Sequence, residues 1–297
     1  MLRLSSLAFC FFLLFPWSLC LGASRQSSRK LVFVSIMPQK AFVEAIAKGK
    51  VDVEVMVPPG ANPHVFEPKP SQLKKLSKAD MYVKVGTAIE FELQWMEKIK
   101  KLNPRLKMVD MSKGIPLIET EDEDIHDHQR LLNNGRTMNV DPHIWLSLKN
   151  LSRQIKNIAG ALMDLDPVNK GFYEVNLKEY IRYIEGEISG IEKILGKGKS
   201  YRFITVHPSL TYFAHDFNLL QIPVRMSDKE PTAGRLKNII DVAKKERIRI
   251  IIASPQFPSR DAKVIASAIE GRVIYFDPLA ENYVENISKI ATALTQR

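Results

Sequence analysis

The sequence predicts an α/β protein in two halves, each a parallel β-sheet covered by helices, with one long helix between them. Three observations predict this fold. Short apolar runs alternate with helical stretches in both halves of the 297-residue chain. An apolar stripe with helical spacing separates the halves. The composition, 45% hydrophobic and 26% charged, is that of a globular protein and not of a disordered or fibrous chain.

Strands and helices alternate regularly in the first half. The largely apolar run at 31–36 predicts a buried strand, and residues 51–57 alternate with period two until Pro58 and Pro59 end the strand. The predicted elements of this half, in order, are a strand at 31–36, a helix at 39–47, a strand at 51–57, a helix at 70–78, a strand at 81–85, a helix at 89–101 and a strand at 106–109.

The second half repeats this pattern of elements without a detectable repeat of sequence. The predicted elements are buried strands at 201–206, 249–253 and 273–276, with helices at 233–245 and 261–269. Alternating strands and helices of this kind favour a parallel sheet, whose ligands collect beyond the carboxyl ends of the strands.

The segment from Pro167 to Leu195 predicts one helix of 29 residues, which at ~1.5 Å per residue is about 43 Å long. Pro167 suits its first turn and Gly196 its end. Coiled-coil dimerisation is one interpretation of its apolar stripe. We favour a spine that packs along both halves. The stripe residues, spaced by three or four positions, are Leu177, Ile181, Ile184, Ile188, Ile191 and Leu195.

The N-terminus has the layout of an export signal. Arg3 precedes an apolar run at 4–21, the small residues Gly22 and Ala23 follow, and a polar stretch comes next. We therefore expect a signal peptide at 1–23. A retained membrane anchor is disfavoured because Pro16 interrupts the run. Lipoprotein anchoring at Cys20 is also disfavoured, because Leu19 stands where such signals have a small residue.

Cysteine placement and charge exclude several classes of function. Both cysteines, Cys10 and Cys20, lie in the predicted signal, so the exported chain would have neither a disulfide framework nor a thiolate metal site. The formal charge of +10 would fall to about +9 on loss of Arg3. The basic residues are dispersed and are not interleaved with aromatic ones, so we expect no nucleic-acid partner. A secondary adhesive role stays open.

Three of the six histidines and one aspartate lie beside prolines, in loops or at strand ends. His64 follows the strand at 51–57, and His143 lies in an Asp-Pro-His loop. His207 and Asp277 close the strands at 201–206 and 273–276. Three neutral imidazoles and one carboxylate are the ligands of a tetrahedral zinc site. The four residues together therefore predict a metal site, although each alone is a weak signal.

The same residues carry a resemblance to a known family. Residues 57–71, Val-Pro-Pro-Gly-Ala-Asn-Pro-His-Val-Phe-Glu-Pro-Lys-Pro-Ser, resemble a motif of the cluster A-I metal-binding proteins of ABC importers, and the motifs that begin at Asp141, His207 and Asp277 match later ones. The resemblance implies two Rossmann-like lobes with mostly parallel sheets, joined by a long rigid helix, with the metal in the cleft between them. It implies the same four ligands. We expect an N-terminal metal-binding lobe at 24–166, a linker helix at 167–196 and a C-terminal metal-binding lobe at 197–297.

The resemblance also bears on the metal. Manganese-type members carry a carboxylate at the third ligand position, where this chain has His207. We therefore favour Zn²⁺ as the transported ion over Mn²⁺ or iron. Zinc-type members often have a His-rich acidic loop before the second ligand. Residues 119–128 hold six carboxylates with His126 and His128 as candidate auxiliary ligands, although a solvated acidic loop explains the pattern equally well.

The expected function is binding, with no catalytic residues. Four protein ligands would close the zinc shell, whereas catalytic zinc keeps an open position, and the chain has no His-Glu-x-x-His motif. The resemblance implies a periplasmic solute-binding protein that delivers its metal to a membrane ABC permease with a cytoplasmic ATPase. A secreted zinc hydrolase is the enzyme alternative, and it requires turnover that a chelator abolishes.

Overall fold

The computed structural model describes residues 29–87, 89–119, 129–131, 137–225 and 230–296. The predicted signal peptide at 1–23 and the candidate auxiliary ligands His126 and His128 lie outside the described residues.

The first lobe is built on a four-stranded sheet in which every strand pair is parallel. Its elements, in chain order, are β1 (Lys30–Val34), α1 (Met37–Ala47), β2 (Val51–Val55), α2 (Pro70–Leu76), β3 (Met81–Lys84), α3 (Glu90–Leu102) and β4 (Lys107–Asp110). The strand order is β2-β1-β3-β4. In the register, Val34 of β1 lies opposite Val55 of β2 and Val83 of β3.

A pair of short strands, two 3₁₀ turns and two long helices lie between the two sheets in chain order. These elements are β5 (Gln129–Leu131), β6 (Thr137–Asn139), a 3₁₀ turn (Ile144–Leu146), α4 (Leu148–Leu165), a second 3₁₀ turn (Pro167–Asn169) and α5 (Lys170–Leu195). β5 and β6 are antiparallel.

The second lobe contains another four-stranded parallel sheet, followed by a C-terminal helix. Its elements are β7 (Arg202–Thr205), α6 (Thr211–Asp216), β8 (Leu220–Pro223), α7 (Ala233–Lys245), β9 (Ile250–Ala253), α8 (Arg260–Ile269), β10 (Arg272–Tyr275) and α9 (Tyr283–Thr295). The strand order is β10-β9-β7-β8.

The two sheets share one topology, which the sequence did not reveal as a repeat. Numbered within its own lobe, each sheet has the order 2-1-3-4, with the first strand between the second and the third. In each sheet the second strand therefore lies on one side of the first strand, and the third strand lies on its other side. Ligands of open α/β sheets bind at the carboxyl ends of the strands beside this switch point. The predicted α/β fold of two lobes with parallel sheets is confirmed.

The long helix between the lobes is also confirmed. The predicted stretch begins as the 3₁₀ turn at Pro167 and continues as α5 to Leu195. α5 packs against α1, α4 and α9. Of its predicted stripe, Ile184, Ile191 and Leu195 are buried and the other members are half-buried. The stripe therefore packs within the chain, as we expected of a spine.

Several elements differ from the sequence prediction. Most predicted strands are longer than the observed ones by one or two residues at an end. The extra residues belong to loops and make no strand hydrogen bonds. α4 was not predicted, although its buried residues Leu148, Leu151, Ile155, Ile158 and Leu162 have helical spacing. The elements β8, α6 and α9 were also missed. Among the described residues, no helix is long and apolar enough to cross a membrane.

Candidate metal centre

Three histidines from distant parts of the chain meet in the cleft between the lobes. His64 lies in the loop between β2 and α2, His143 directly precedes the first 3₁₀ turn, and His207 lies two residues beyond β7. One ring nitrogen of each lies within 4.8 Å of the other two. All three side chains are buried.

The spacing of the rings suits a small tetrahedral ion. The Nε2 atoms of His143 and His207 are 3.4 Å apart. Two nitrogens that each lie ~2.0–2.1 Å from one zinc ion at the tetrahedral angle are separated by about 3.3–3.4 Å. The ring of His64 lies 5.2 Å from that of His207 and 6.1 Å from that of His143, measured between centroids. The three rings thus surround one ion-sized point.

The ring of His64 is oriented by Glu90. Nδ1 of His64 lies 2.5 Å from Oε2 of Glu90, and both side chains are largely buried. An ionised carboxylate only accepts hydrogen bonds, so it selects the tautomer with the proton on Nδ1 and leaves the Nε2 lone pair for a metal. A carboxylate in this place also raises the basicity of the imidazole.

A buried network fixes the start of α3 and therefore the position of Glu90. The carboxylate of Glu92 accepts hydrogen bonds from the hydroxyl of Ser35 and from the amides of Val85 and Gly86. Burial raises the pKa of Glu92, and these three bonds oppose that rise only partly. Gly86 has a φ of +84°, and a Cβ there would come within 1.8 Å of Oδ1 of Asp110, so only glycine fits.

His143 is held in the same way by a carboxylate two residues before it. Oδ1 of Asp141 accepts hydrogen bonds from Nδ1 of His143, at 2.9 Å, and from the backbone amide of His143, at 2.8 Å. Asp141 is itself buried. The arrangement again leaves Nε2 of the ring directed at the cleft, so two of the three imidazoles have a carboxylate behind them.

The segment around His143 is tied to both lobes. Thr87, in the first lobe, donates a hydrogen bond to the carbonyl of Pro142. On the other side, the indole Nε1 of Trp145 donates to the carbonyl of Pro278 at 2.8 Å, and the hydroxyl of Tyr283 donates to the carbonyl of Trp145 at 2.6 Å. The segment that contains His143 is therefore hydrogen-bonded on both sides of the cleft.

Aromatic and apolar groups enclose the remaining space. The ring of Phe257 stacks on that of His207, with centroids 4.3 Å apart and planes inclined by 16°. The cavity among the three rings has a volume of about 20 Å³, close to the space of a single water molecule. Its other lining residues are Asn62, Pro63, Trp145, Gln256, Pro278 and Leu279. A cavity of this size has room for a single ion among the three rings.

Asp277, the fourth predicted ligand, lies beside this group and outside it. Its Oδ1 accepts hydrogen bonds from Nε2 of Gln256 at 2.7 Å and from the amide of Leu279 at 2.9 Å. The cluster of candidate ligand atoms contains the three histidines and not this carboxylate. Its role as a ligand therefore stays a prediction.

Four residues at the centre were not assigned a role from the sequence. They are Glu90, Asp141, Gln256 and Phe257. Glu90 carried no signal, because it lies 26 positions from its partner His64. Asp141 belongs to the Asp-Pro-His motif, and a carboxylate two residues before a candidate ligand could have suggested its role.

Comparisons with known proteins identify relatives that are named for zinc uptake and zinc binding. The chain is 30% identical over 273 residues to the high-affinity zinc uptake system protein ZnuA of Bacillus subtilis, with 90% of this chain and 83% of that protein covered. It is 26% identical to the zinc-binding lipoprotein AdcA of Streptococcus pneumoniae, of which it spans only 56%.

The solved structures that resemble this chain include two of ZnuA. A crystal structure of ZnuA superimposes with a TM-score of 0.81 at 37% identity, covering 90% of this chain and 98% of that one. A zinc-bound deletion mutant of ZnuA gives a TM-score of 0.80 at 36% identity, with 91% and 99% covered. The family model described as zinc-uptake complex component A, periplasmic, matches residues 32–297. The chain therefore belongs to this ZnuA family of periplasmic zinc-uptake components.

Proposed function

We propose that the protein captures Zn²⁺ in the cleft between its lobes and delivers it to an ABC permease in the membrane, which a cytoplasmic ATPase drives. The observation that carries this proposal is the meeting of three buried imidazole rings around one ion-sized cavity. Relatives and structural neighbours named for zinc uptake and zinc binding support it. Export to the periplasm, after cleavage of the signal at 1–23, is part of the proposal.

The proposed ligands are Nε2 of His64, His143 and His207, with Asp277 as the fourth. The two carboxylates behind the imidazoles, Glu90 and Asp141, place further negative charge near the ion. Histidine and carboxylate ligands without thiolates suit reversible capture, because soft sulfur ligands hold zinc tightly. We propose capture and not catalysis, because four protein ligands would leave no open position on the ion, whereas catalytic zinc keeps one.

Metal titration tests the proposal. The purified protein, stripped with a chelator, should bind one zinc ion per chain and should prefer Zn²⁺ to Mn²⁺ in direct competition. Replacement of His64, His143 or His207 by Ala should weaken zinc binding by more than about 100-fold, a larger loss than changes behind the ligands cause. His215→Ala is the matched control, because His215 is exposed on α6.

Two outcomes would contradict the proposal. Retention of full zinc affinity by the three alanine variants would place the metal elsewhere. Hydrolysis of a peptide or ester by the zinc-loaded protein, abolished by the chelator and by the same variants, would favour the secreted hydrolase instead.

A further inference from the structure

Trp145 joins the segment of His143 to the turn that follows Asp277. Its indole Nε1 donates a hydrogen bond to the carbonyl of Pro278 at 2.8 Å. The donor lies two residues after one proposed ligand, His143, and the acceptor directly follows another, Asp277. Trp145 and Pro278 also line the cavity among the three histidine rings. One buried bond therefore connects the segments of the second and the fourth proposed ligand.

The donor keeps a fixed position relative to the imidazole of His143. Trp145 lies in the 3₁₀ turn that follows His143, and the amide of Leu146 donates to the carbonyl of His143 at 3.1 Å. The indole and imidazole rings are 5.2 Å apart, measured between centroids. Trp145 is 1% exposed, and the hydroxyl of Tyr283 donates to its carbonyl at 2.6 Å. A side chain packed in this way keeps one rotamer, so the two rings hold their relative position.

The acceptor belongs to a tight turn that includes Asp277. The amide of Ala280 donates to the carbonyl of Asp277 at 3.2 Å, and the amide of Leu279 donates to its Oδ1 at 2.9 Å. Pro278 suits the second position of such a turn, because its ring fixes φ. A turn with these two bonds moves largely as one body. The bond from Trp145 to the carbonyl of Pro278 therefore constrains where the carboxylate of Asp277 lies.

We propose that Trp145 is a positioning residue that places the carboxylate of Asp277 for the ion through the carbonyl of Pro278. This inference rests on the proposed function, in which Asp277 is the fourth ligand. Hydrogen bonds from the described residues reach Oδ1 of Asp277, which leaves Oδ2 for the ion. Without the indole donor the turn gains freedom, and holding the carboxylate at the ion then costs conformational entropy that the wild type has already lost on folding.

The test is a double-mutant cycle on zinc affinity in the full chain. Trp145→Phe keeps an aromatic ring and removes the N–H donor, whereas Asp277→Asn keeps an acceptor for the amide of Leu279 and removes the charge. Dissociation constants for Zn²⁺ are measured by chelator competition for the wild type, both single variants and the double variant. Tyr173→Phe is the matched control, because Tyr173 is also a buried aromatic donor, bonded to Asp166 at 2.7 Å, and lies on α5.

We expect Trp145→Phe to weaken zinc binding by about tenfold, the effect of losing one buried hydrogen bond. In the Asp277→Asn background the same substitution should change zinc affinity by less than about twofold, because it acts through the carboxylate. Tyr173→Phe should lower the melting temperature and leave zinc affinity unchanged. The melting temperature of each metal-free variant shows whether it is folded. If Trp145→Phe does not fold, benzothienylalanine at position 145 replaces it, since this isostere keeps the bicyclic ring and lacks the N–H donor.

Wild-type zinc affinity in a folded variant that lacks the indole donor would overturn the inference. The same loss in both backgrounds would also overturn it, since Trp145 would then act on His143 or on the fold. Equal zinc affinity of Asp277→Asn and the wild type would remove the fourth ligand and the inference with it, while the proposed function would stand on the three histidines. Failure of that function has a different signature, because the wild type itself would bind no zinc.

Discussion

At the scale of single residues, the centre depends on the groups behind the histidines as much as on the histidines. In two of the imidazoles Nδ1 is hydrogen-bonded to a carboxylate, that of half-buried Glu90 for His64 and that of buried Asp141 for His143. These contacts fix the tautomer and the ring angle before an ion arrives. The rings therefore need little reorganisation on binding.

Glu90→Gln should weaken zinc binding by about 10–100-fold while the fold is retained. The amide oxygen of glutamine still accepts from Nδ1 of His64, but the negative charge that raises the basicity of the ring is lost. Competition with a chelator of known affinity measures the change. Glu97→Gln, which lies on the exposed side of the same helix, should bind zinc like the wild type.

Glu92 gives the stability of the protein a specific pH dependence. Burial raises its pKa in the folded state above the ordinary value near 4.3 of the unfolded chain. Between these two values the folded protein binds more protons than the unfolded chain, so stability falls as pH rises through the folded pKa. The contribution is fully present below the unfolded pKa.

Denaturant unfolding of the wild type and of Glu92→Gln, measured from pH 4 upward without metal, should show this slope. The free energy of unfolding of the wild type should decline relative to that of the variant by up to about 1.4 kcal/mol per pH unit within that interval. A constant difference across the interval would mean that the pKa of Glu92 is not raised.

At the scale of elements, the ends of strands position the candidate ligands, and the long helix α5 packs against helices from both halves of the chain. β7 places His207 at the carboxyl edge of its sheet. This is the switch point of the sheet, because β7 is its first strand and lies between β8 and β9. α5 contacts α1 and α4 as well as the C-terminal helix α9, and three residues of its apolar stripe are buried. The outer side of α5 is charged and contributes little to the core.

Two isoleucines in the last turns of α5 provide a matched test of this role. Ile191 is 1% exposed and Ile194 is 39% exposed. Ile191→Ala should lower the free energy of unfolding by about 2–5 kcal/mol through lost burial and a cavity. Ile194→Ala should cost less than about 1 kcal/mol. Chemical denaturation of both variants measures these free energies of unfolding. Equal losses of stability in the two variants would contradict the packing of the stripe.

At the scale of the whole molecule, the three histidines that we propose as ligands come from three separate segments of the chain. His64 follows a strand of the first sheet, His207 follows a strand of the second, and His143 lies in a segment that is hydrogen-bonded to residues near both sheets. An ion bound to all three must hold the lobes together. Binding free energy therefore appears as resistance of the entire chain to unfolding.

Zinc at about 100 times its dissociation constant should raise the free energy of unfolding by about 2.7 kcal/mol. Thermal unfolding followed by circular dichroism, with and without zinc, measures this gain. His64→Ala should lose nearly all of it, although the other two histidines remain. An undiminished gain in that variant would show that the ion does not bridge the lobes.

Much of this protein was determined by the sequence alone, because the signals were local. Alternating apolar runs predicted parallel sheets, the spacing of the stripe predicted α5, and the prolines beside His64, His143 and His207 marked the loops that bring these residues together. The limits of most strands were predicted to within two residues.

Only the tertiary structure showed which side chains form hydrogen bonds with the proposed ligands. Glu90 reaches His64, and Gln256 reaches Asp277, across 26 and 21 positions of sequence. Such pairs leave no periodic pattern, because they depend on how separate loops pack at the carboxyl edges of two sheets. The common strand order of the lobes was hidden for the same reason: parallel strands need only a buried apolar run, and many sequences satisfy that requirement.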